Sequence, residues 1–246
     1  MIDKKTKKNR IFSPFLSSTI KNSIVTLRTS NVLYSLFAVA IFSPIAILFQ
    51  NRIVAAMDTR ILGNYMAVAF NILIILLLTL SSNVIVSSTF SKEGNSSYLN
   101  KVNPVEYRTM LTGKFVLNAI ICICSIIAST AIMSSFANFT VIQSILICFS
   151  LIFVYLGHLF WSAEFDLMNP QNRLYQTTGS NHKNPNETKS TISAFIISAM
   201  FTFVCFFLMN EDLNVMFFKV FFIGLVLLLI RIYLYFTRIK LYYKEK

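Results

Sequence analysis

Residues 66–90 read MAVAFNILIILLLTLSSNVIVSSTF. Up to Leu80 this stretch carries only Asn71 and Thr79 as polar residues, and the apolar ones follow neither a period of two nor a single helical stripe. A continuous apolar run of this kind is the mark of a helix surrounded by hydrocarbon, since about 20 residues at about 1.5 Å each cross a bilayer core of about 30 Å. Five further stretches repeat the pattern. The expected spans are Val32–Gln50, Tyr65–Thr89, Phe115–Ser135, Thr140–Ala163, Thr191–Met209 and Val215–Arg238. The chain is 55% hydrophobic and 13% charged with 24 Phe, more apolar surface than a soluble domain of 246 residues could hide. Strands with outward-apolar alternation are absent from the pattern, which argues against a transmembrane barrel. The expected class is an all-α integral membrane protein with six transmembrane helices.

The net charge of +12 is unevenly placed. Residues 1–31 carry Lys4, Lys5, Lys7, Lys8, Arg10, Lys21 and Arg28. Loop 90–114 carries Lys92, Lys101, Arg108 and Lys114, loop 164–190 carries Arg173, Lys183 and Lys189, and the tail carries Arg238, Lys240, Lys244 and Lys246. The connectors after the third and fifth spans carry no basic residue, and that after the first holds only Arg52 and Arg60. By the positive-inside rule both termini and both long loops are expected in the cytoplasm. The basic excess then orients the protein and meets anionic lipid, with no nucleic-acid partner expected. The basic start leads into no short apolar core with a small-residue cleavage site, so no cleavable signal peptide is expected. Cys122, Cys124, Cys148 and Cys205 all fall inside spans and match no zinc or redox spacing.

Between the basic start and the first span, Phe12, Leu16, Ile20, Ile24 and Leu27 share one helical face while Ser17, Lys21, Asn22 and Arg28 take the other. This predicts a helix lying in the membrane interface, and divides the chain into a segment 1–31 and a six-helix domain 32–246. The two long loops hold helix-start signals. In NPVEYRTMLTG, Asn103 is placed to cap, Pro104 suits the first helical position, Glu106 has capping-box spacing and Gly113 is placed to close the helix in a left-handed conformation. A two-turn helix over Pro104–Thr112 follows. Asn184, Pro185 and Glu187 repeat the device before the fifth span, and Asn169-Pro170 is a weaker instance.

Catalytic patterns are missing. Thr112-Gly113-Lys114-Phe115 resembles the end of a phosphate-binding loop, but Arg108 stands where its first Gly belongs and Phe115 where Ser or Thr is required. His158 has no HExxH setting for a metal, and no serine has the setting of an intramembrane nucleophile. Hence no catalytic residue, no metal and no cofactor is assigned to this chain. Lys219 and Arg231 sit close enough to span ends to snorkel. Asn71, Ser81 and Asn83 give the second span a polar side, which serves either helix–helix hydrogen bonding or a lined pathway.

The loops resemble a known family. SSTFSKEGNSSYLNKVNPVEYRTMLTGK (87–114) is similar to the first cytoplasmic loop of permease subunits in the type-two superfamily of ABC exporters. One bacterial branch places a Ser-Arg/Lys-Glu-Gly element before a Lys, a Pro and a Lys that opens the next span. Here these are Ser91-Lys92-Glu93-Gly94, Lys101, Pro104 and Lys114. FDLMNPQNRLYQ (165–176) and NPNETKSTISAF (184–195) resemble that branch's second loop, with Asp166 and Pro170 before an amide-rich entry to the fifth span at Asn184, Pro185, Glu187 and Lys189. The resemblance implies a multi-pass protein of the bacterial plasma membrane that forms half of a translocation pathway. It implies a coupling helix bearing Tyr107 and Arg108 that docks on a separate ATP-binding subunit, which holds ATP and Mg. Branch members often fuse two such halves. This chain looks like the second half, so a second permease half, identical or different, is implied as a partner. The alternative left open by the residues is a stand-alone six-helix carrier, immunity or scaffold factor that docks some other cytoplasmic protein.

Overall fold

The computed structural model describes residues 13–57, 61–93, 107–173, 175, 184–209 and 213–243. Eight α-helices appear among them: α1 (Pro14–Arg28), α2 (Ser30–Ala56), α3 (Ile61–Ser81), α4 (Tyr107–Thr112), α5 (Val116–Ala137), α6 (Val141–Met168), α7 (Pro185–Leu208) and α8 (Leu213–Tyr243). Six helical spans, those of α2, α3 and α5 to α8, are long and apolar enough to cross a membrane, which makes this a multi-pass membrane protein. They match the six expected runs, with ends displaced where polar residues continue a helix. The fourth span reaches Met168 instead of Ala163, and the fifth begins at Pro185, six residues before Thr191. The second loop is correspondingly shorter than expected.

Local chemistry explains the ends. Ser13 caps α1, its hydroxyl accepting from Leu16 N, with Pro14 in the first position. Thr29 is extended and separates α1 from α2. α1 buries none of its residues, and Phe15, Leu16, Ile20, Ile24 and Leu27 are exposed. The apolar face read from its periodicity is left uncovered by the bundle. Phe12 lies outside the described residues. α3 tightens after Ser81 into 3-10 turns at Ser82–Val84 and Val86–Ser88. There Ser82, Ser87 and Ser88 each bond the carbonyl three residues back, a local competition with the helical ladder. α6 starts on a full capping box, Thr140 with Gln143.

α3 is the central helix, packed against α2, α5, α6 and α7. α8 lies outside it and packs chiefly on α6. Two glycines make that approach close from both sides. A Cβ on Gly157 would collide with Leu227, and one on Gly224 would come within 3.0 Å of the Ser150 carbonyl. The core between the helices joins Ile72, Ile75, Leu76, Leu80, Ile126, Leu151 and Tyr155, while Phe42, Phe49, Phe195, Phe203 and Phe222 face outward.

Candidate functional site

Three consecutive residues after the second span each reach a different element. Ser91 donates its hydroxyl to Asp166 on α6 and accepts the Gln171 N–H. Lys92 pairs with Glu187 on α7 at 3.7 Å. Glu93 pairs with Lys114 at the foot of α5. Asp166 is the hub: besides Ser91 Oγ it accepts Phe90 N at 2.7 Å, Ser91 N at 3.0 Å and Asn186 Nδ2 at 3.2 Å, and it is fully buried. One carboxylate thus ties the end of the second span, the end of α6 and the start of α7. A buried carboxylate is tolerable only with such a set of donors, each of them a charge-assisted hydrogen bond.

The start of α7 follows the expected device in part. Asn184 caps it, its side chain accepting Asn186 N at 2.9 Å, and Pro185 takes the first position. No capping box forms, because Glu187 turns outward to Lys92. Asn169 ends α6, and its carbonyl accepts from Asn186. Pro170 and Lys189 are exposed.

α4 lies at this same end, against α1 and α8. The Ser18 hydroxyl donates to the Met110 carbonyl at 3.3 Å. Met110 and Leu111 are buried. Gly113 was expected in a left-handed conformation, yet the chain turns there without one. Its missing side chain serves proximity instead, since a Cβ would lie 3.0 Å from Ser18 Oγ and 3.3 Å from the Thr19 backbone. Arg108 is not fully presented to a partner as expected. It is half-buried, with its guanidinium 5.7 Å from the Phe236 ring. Lys114 packs over Phe90 at 5.0 Å with its side chain 4% exposed. Burial holds its pKa below the usual lysine value, more strongly than the Glu93 carboxylate raises it.

A second carboxylate escaped the sequence reading. Glu164, 1% exposed on α6, pairs with Arg238 at 2.6 Å and with Arg231 at 3.8 Å. Arg231 also stacks over Trp161 at 3.6 Å, so it is fixed in an ion pair and a ring contact, where snorkelling alone was expected. Glu164 and Asp166 are two residues apart and face different neighbours, as about 100° per residue requires. The signal was present: arginines seven apart on one face of the last span, opposite an E-x-D at the end of the fourth.

Above these pairs a neutral polar column enters the bundle. Asn83 Nδ2 meets His158 Nδ1 at 3.0 Å, and His158 Nε2 meets Ser193 Oγ at 3.0 Å. Asn118 donates to Asn83 Oδ1 at 3.2 Å, and Ser193 donates to the Ser190 carbonyl. An amide nitrogen cannot accept, so the His158 proton sits on Nε2 and the ring is neutral. Ser162 and Ser190 close the column at 2.8 Å. Asn83 is therefore a helix-linking group. Ser81 is exposed and bonds its own turn at Leu78 O, and among the described residues it does not join Asn83. Asn71 lies elsewhere, paired with Asn51.

Gly94, Lys101, Asn103, Pro104 and Glu106 lie outside the described residues, as do the start expected for α4 and the side chain of Tyr107. The described arrangement provides a short helix, a hydrogen-bonded carboxylate hub and two ion pairs that join both loops to four of the spans. No family model, no curated protein and no solved structure matches the chain.

Proposed function

We propose that this chain is one permease half of an ATP-driven exporter of the type-two ABC superfamily, set in a bacterial plasma membrane with α1, α4 and both termini on the cytoplasmic side. A second half, the same or different, completes the pathway, and separate ATP-binding subunits hydrolyse ATP. α4 is the element that meets the ATP-binding subunit. The observation that carries this reading is the anchoring of Ser91, Lys92 and Glu93 to α6, α7 and the foot of α5. Lys114, two residues beyond the end of α4, is held by Glu93, so a displacement of α4 passes to the foot of α5 and the end of the second span. The basic loops, the interfacial α1 and the contact of α1 with α4 support the same orientation.

The test is gentle solubilisation from the native membrane, followed by an ATPase assay of the purified material with and without Tyr107→Ala and Glu106→Lys. Co-purification of an ATP-binding subunit, whose activity both variants uncouple or release, is the expected result. A chain that purifies alone and is indifferent to ATP would instead support a stand-alone six-helix membrane protein.

A further inference from the structure

Glu164 is one carboxylate serving two arginines. Arg238 Nε lies 2.6 Å from its Oε1 and Arg231 Nη1 3.8 Å from its Oε2, so the trio carries one surplus positive charge. Among the described residues no other acid pairs with either arginine, and residues 176–183 of the second loop contain Lys183 and no acid. The carboxylate is shut in, whereas the Arg231 and Arg238 side chains remain 23% and 32% exposed. The Arg231 guanidinium stacks over Trp161, and Arg238 donates to the sulfur of the exposed Met168. A guanidinium carries five N–H donors, and these contacts leave several of them on each arginine for a further acceptor.

Arg231 also closes one end of a groove of about 490 Å³ along α8, whose other lining residues are Phe222, Ile223, Val226, Leu227 and Ile230. Of these, Phe222, Ile223, Val226 and Ile230 are exposed. The step from Phe222 to Arg231 is nine residues, about 13.5 Å at about 1.5 Å per residue, close to half of a hydrocarbon core of about 30 Å. The groove therefore has the depth of one leaflet, with cations at its headgroup end. Trp161 stands at that same level, where the amphipathic indole ring is favoured.

We infer that the end of α6 and this face of α8 bind an anionic phospholipid of the phosphodiester monoanion class. Its phosphate oxygens accept from Arg231 and Arg238, whose planar guanidiniums suit phosphate geometry, and one acyl chain lies along Ile230, Val226, Ile223 and Phe222. One negative charge neutralises the surplus that Glu164 leaves. A zwitterionic lipid brings its own cation to the arginines, and a free phosphate leaves the groove uncovered. The bound lipid would bridge nothing on α4, so the site serves this chain with or without an ATP-binding subunit.

The experiment titrates the full chain, purified in a neutral detergent, with dioleoyl phosphatidylglycerol or dioleoyl phosphatidylcholine and counts bound lipid by native mass spectrometry. Phosphatidylglycerol should bind about fivefold more tightly, the value of one surplus arginine near a headgroup. Phosphatidylglycerol with a diazirine in one acyl chain should label residues 222–230, mapped by proteolysis. Arg231→Gln keeps the Glu164–Arg238 pair and should erase the preference, whereas Lys240→Gln, an exposed charge on the same helix, should leave it. Val226→Trp fills the groove at constant charge and should reduce the labelling severalfold. Labelling of the unaltered chain locates the site even if Arg231→Gln misfolds. Equal affinity for the two lipids, an equal loss from Lys240→Gln, labelling spread evenly over the other spans, or full competition by soluble glycerophosphoglycerol would each overturn the inference. So would a protein adduct, in place of lipid, formed by benzoylphenylalanine at position 226 in the native membrane, since a partner helix would then occupy the groove.

Discussion

The two ends of the bundle solve the problem of buried polarity in opposite ways. At the end carrying α1 and α4, polarity is ionic and partnered: Asp166 has four donors, Glu164 two arginines, Glu93 a lysine. At the other end the described residues lining a recess between α2, α3, α5, α7 and α8 carry only neutral amides and a phenol, and two amide atoms stay unpaired. Partnered charge inside a low-dielectric bundle fixes geometry, because moving either member exposes an uncompensated charge. A single neutral amide pair, Asn51 with Asn71, fixes its surroundings less firmly. One end is fixed by partnered charge, and the other is held by neutral packing.

The contrast can be broken by mutation. Asp166→Ala should have the largest effect, since it strands two backbone N–H groups, a serine hydroxyl and an asparagine amide. A loss of about 3–5 kcal/mol is expected, read as early unfolding on heating in detergent followed by size-exclusion chromatography. Stability within 1 kcal/mol of wild type, on the order of an ordinary surface substitution, would show the hub to be dispensable. Gly157→Val forces α6 from Leu227 on α8 and should cost about 1–3 kcal/mol.

Glu93 and Lys114 offer a sharper test through their asymmetry. Glu93→Gln leaves a buried ammonium without its partner, so it should destabilise more than Lys114→Met, and the double variant should recover much of the difference. Equal costs for both single changes would mean the pair is solvated in practice. By contrast, Asn51→Leu/Asn71→Leu removes both members of a pair that is half-open already, and its stability should stay within about 1 kcal/mol of wild type.

The smallest effect concerns pH. Burial holds Lys114 below its usual value of 10.5, so the folded protein binds this proton less firmly than the unfolded chain does. The unfolded state then carries more protons between the lowered value and 10.5, and stability should rise with pH across that window. Lys114→Met should flatten this part of the profile, measured as melting temperature against pH; an unchanged slope would assign it to other groups.

Where the code is local, the structure follows it. Six apolar runs become six long helices, and Asn184-Pro185 starts α7, because hydrocarbon transfer and backbone capping act on neighbours in sequence. What escaped depends on partners far apart. Asn83 and His158 are 75 residues distant, and neither announces the other in an apolar run. Glu164 was missed because the fourth span was cut at Ala163, although the helix runs on to Met168 beneath two arginines of α8. Gly113 misled for a different reason. Its usual role at helix ends is conformational, and here it serves the close approach of α1, which only the packed structure reveals. In the loops, Lys92, Glu93, Lys114, Asp166 and Glu187 were marked by resemblance, but their pairing was not legible.

The most direct measurement asks what α4 touches. Benzoylphenylalanine placed at position 107 in the full chain, photolysed in intact cells of native origin, reports the neighbour within one side-chain length. The account expects a single dominant adduct with an ATP-binding subunit, diminished when Asp166→Ala releases the loop. An adduct only with lipid, or with a protein that binds no nucleotide, would contradict it.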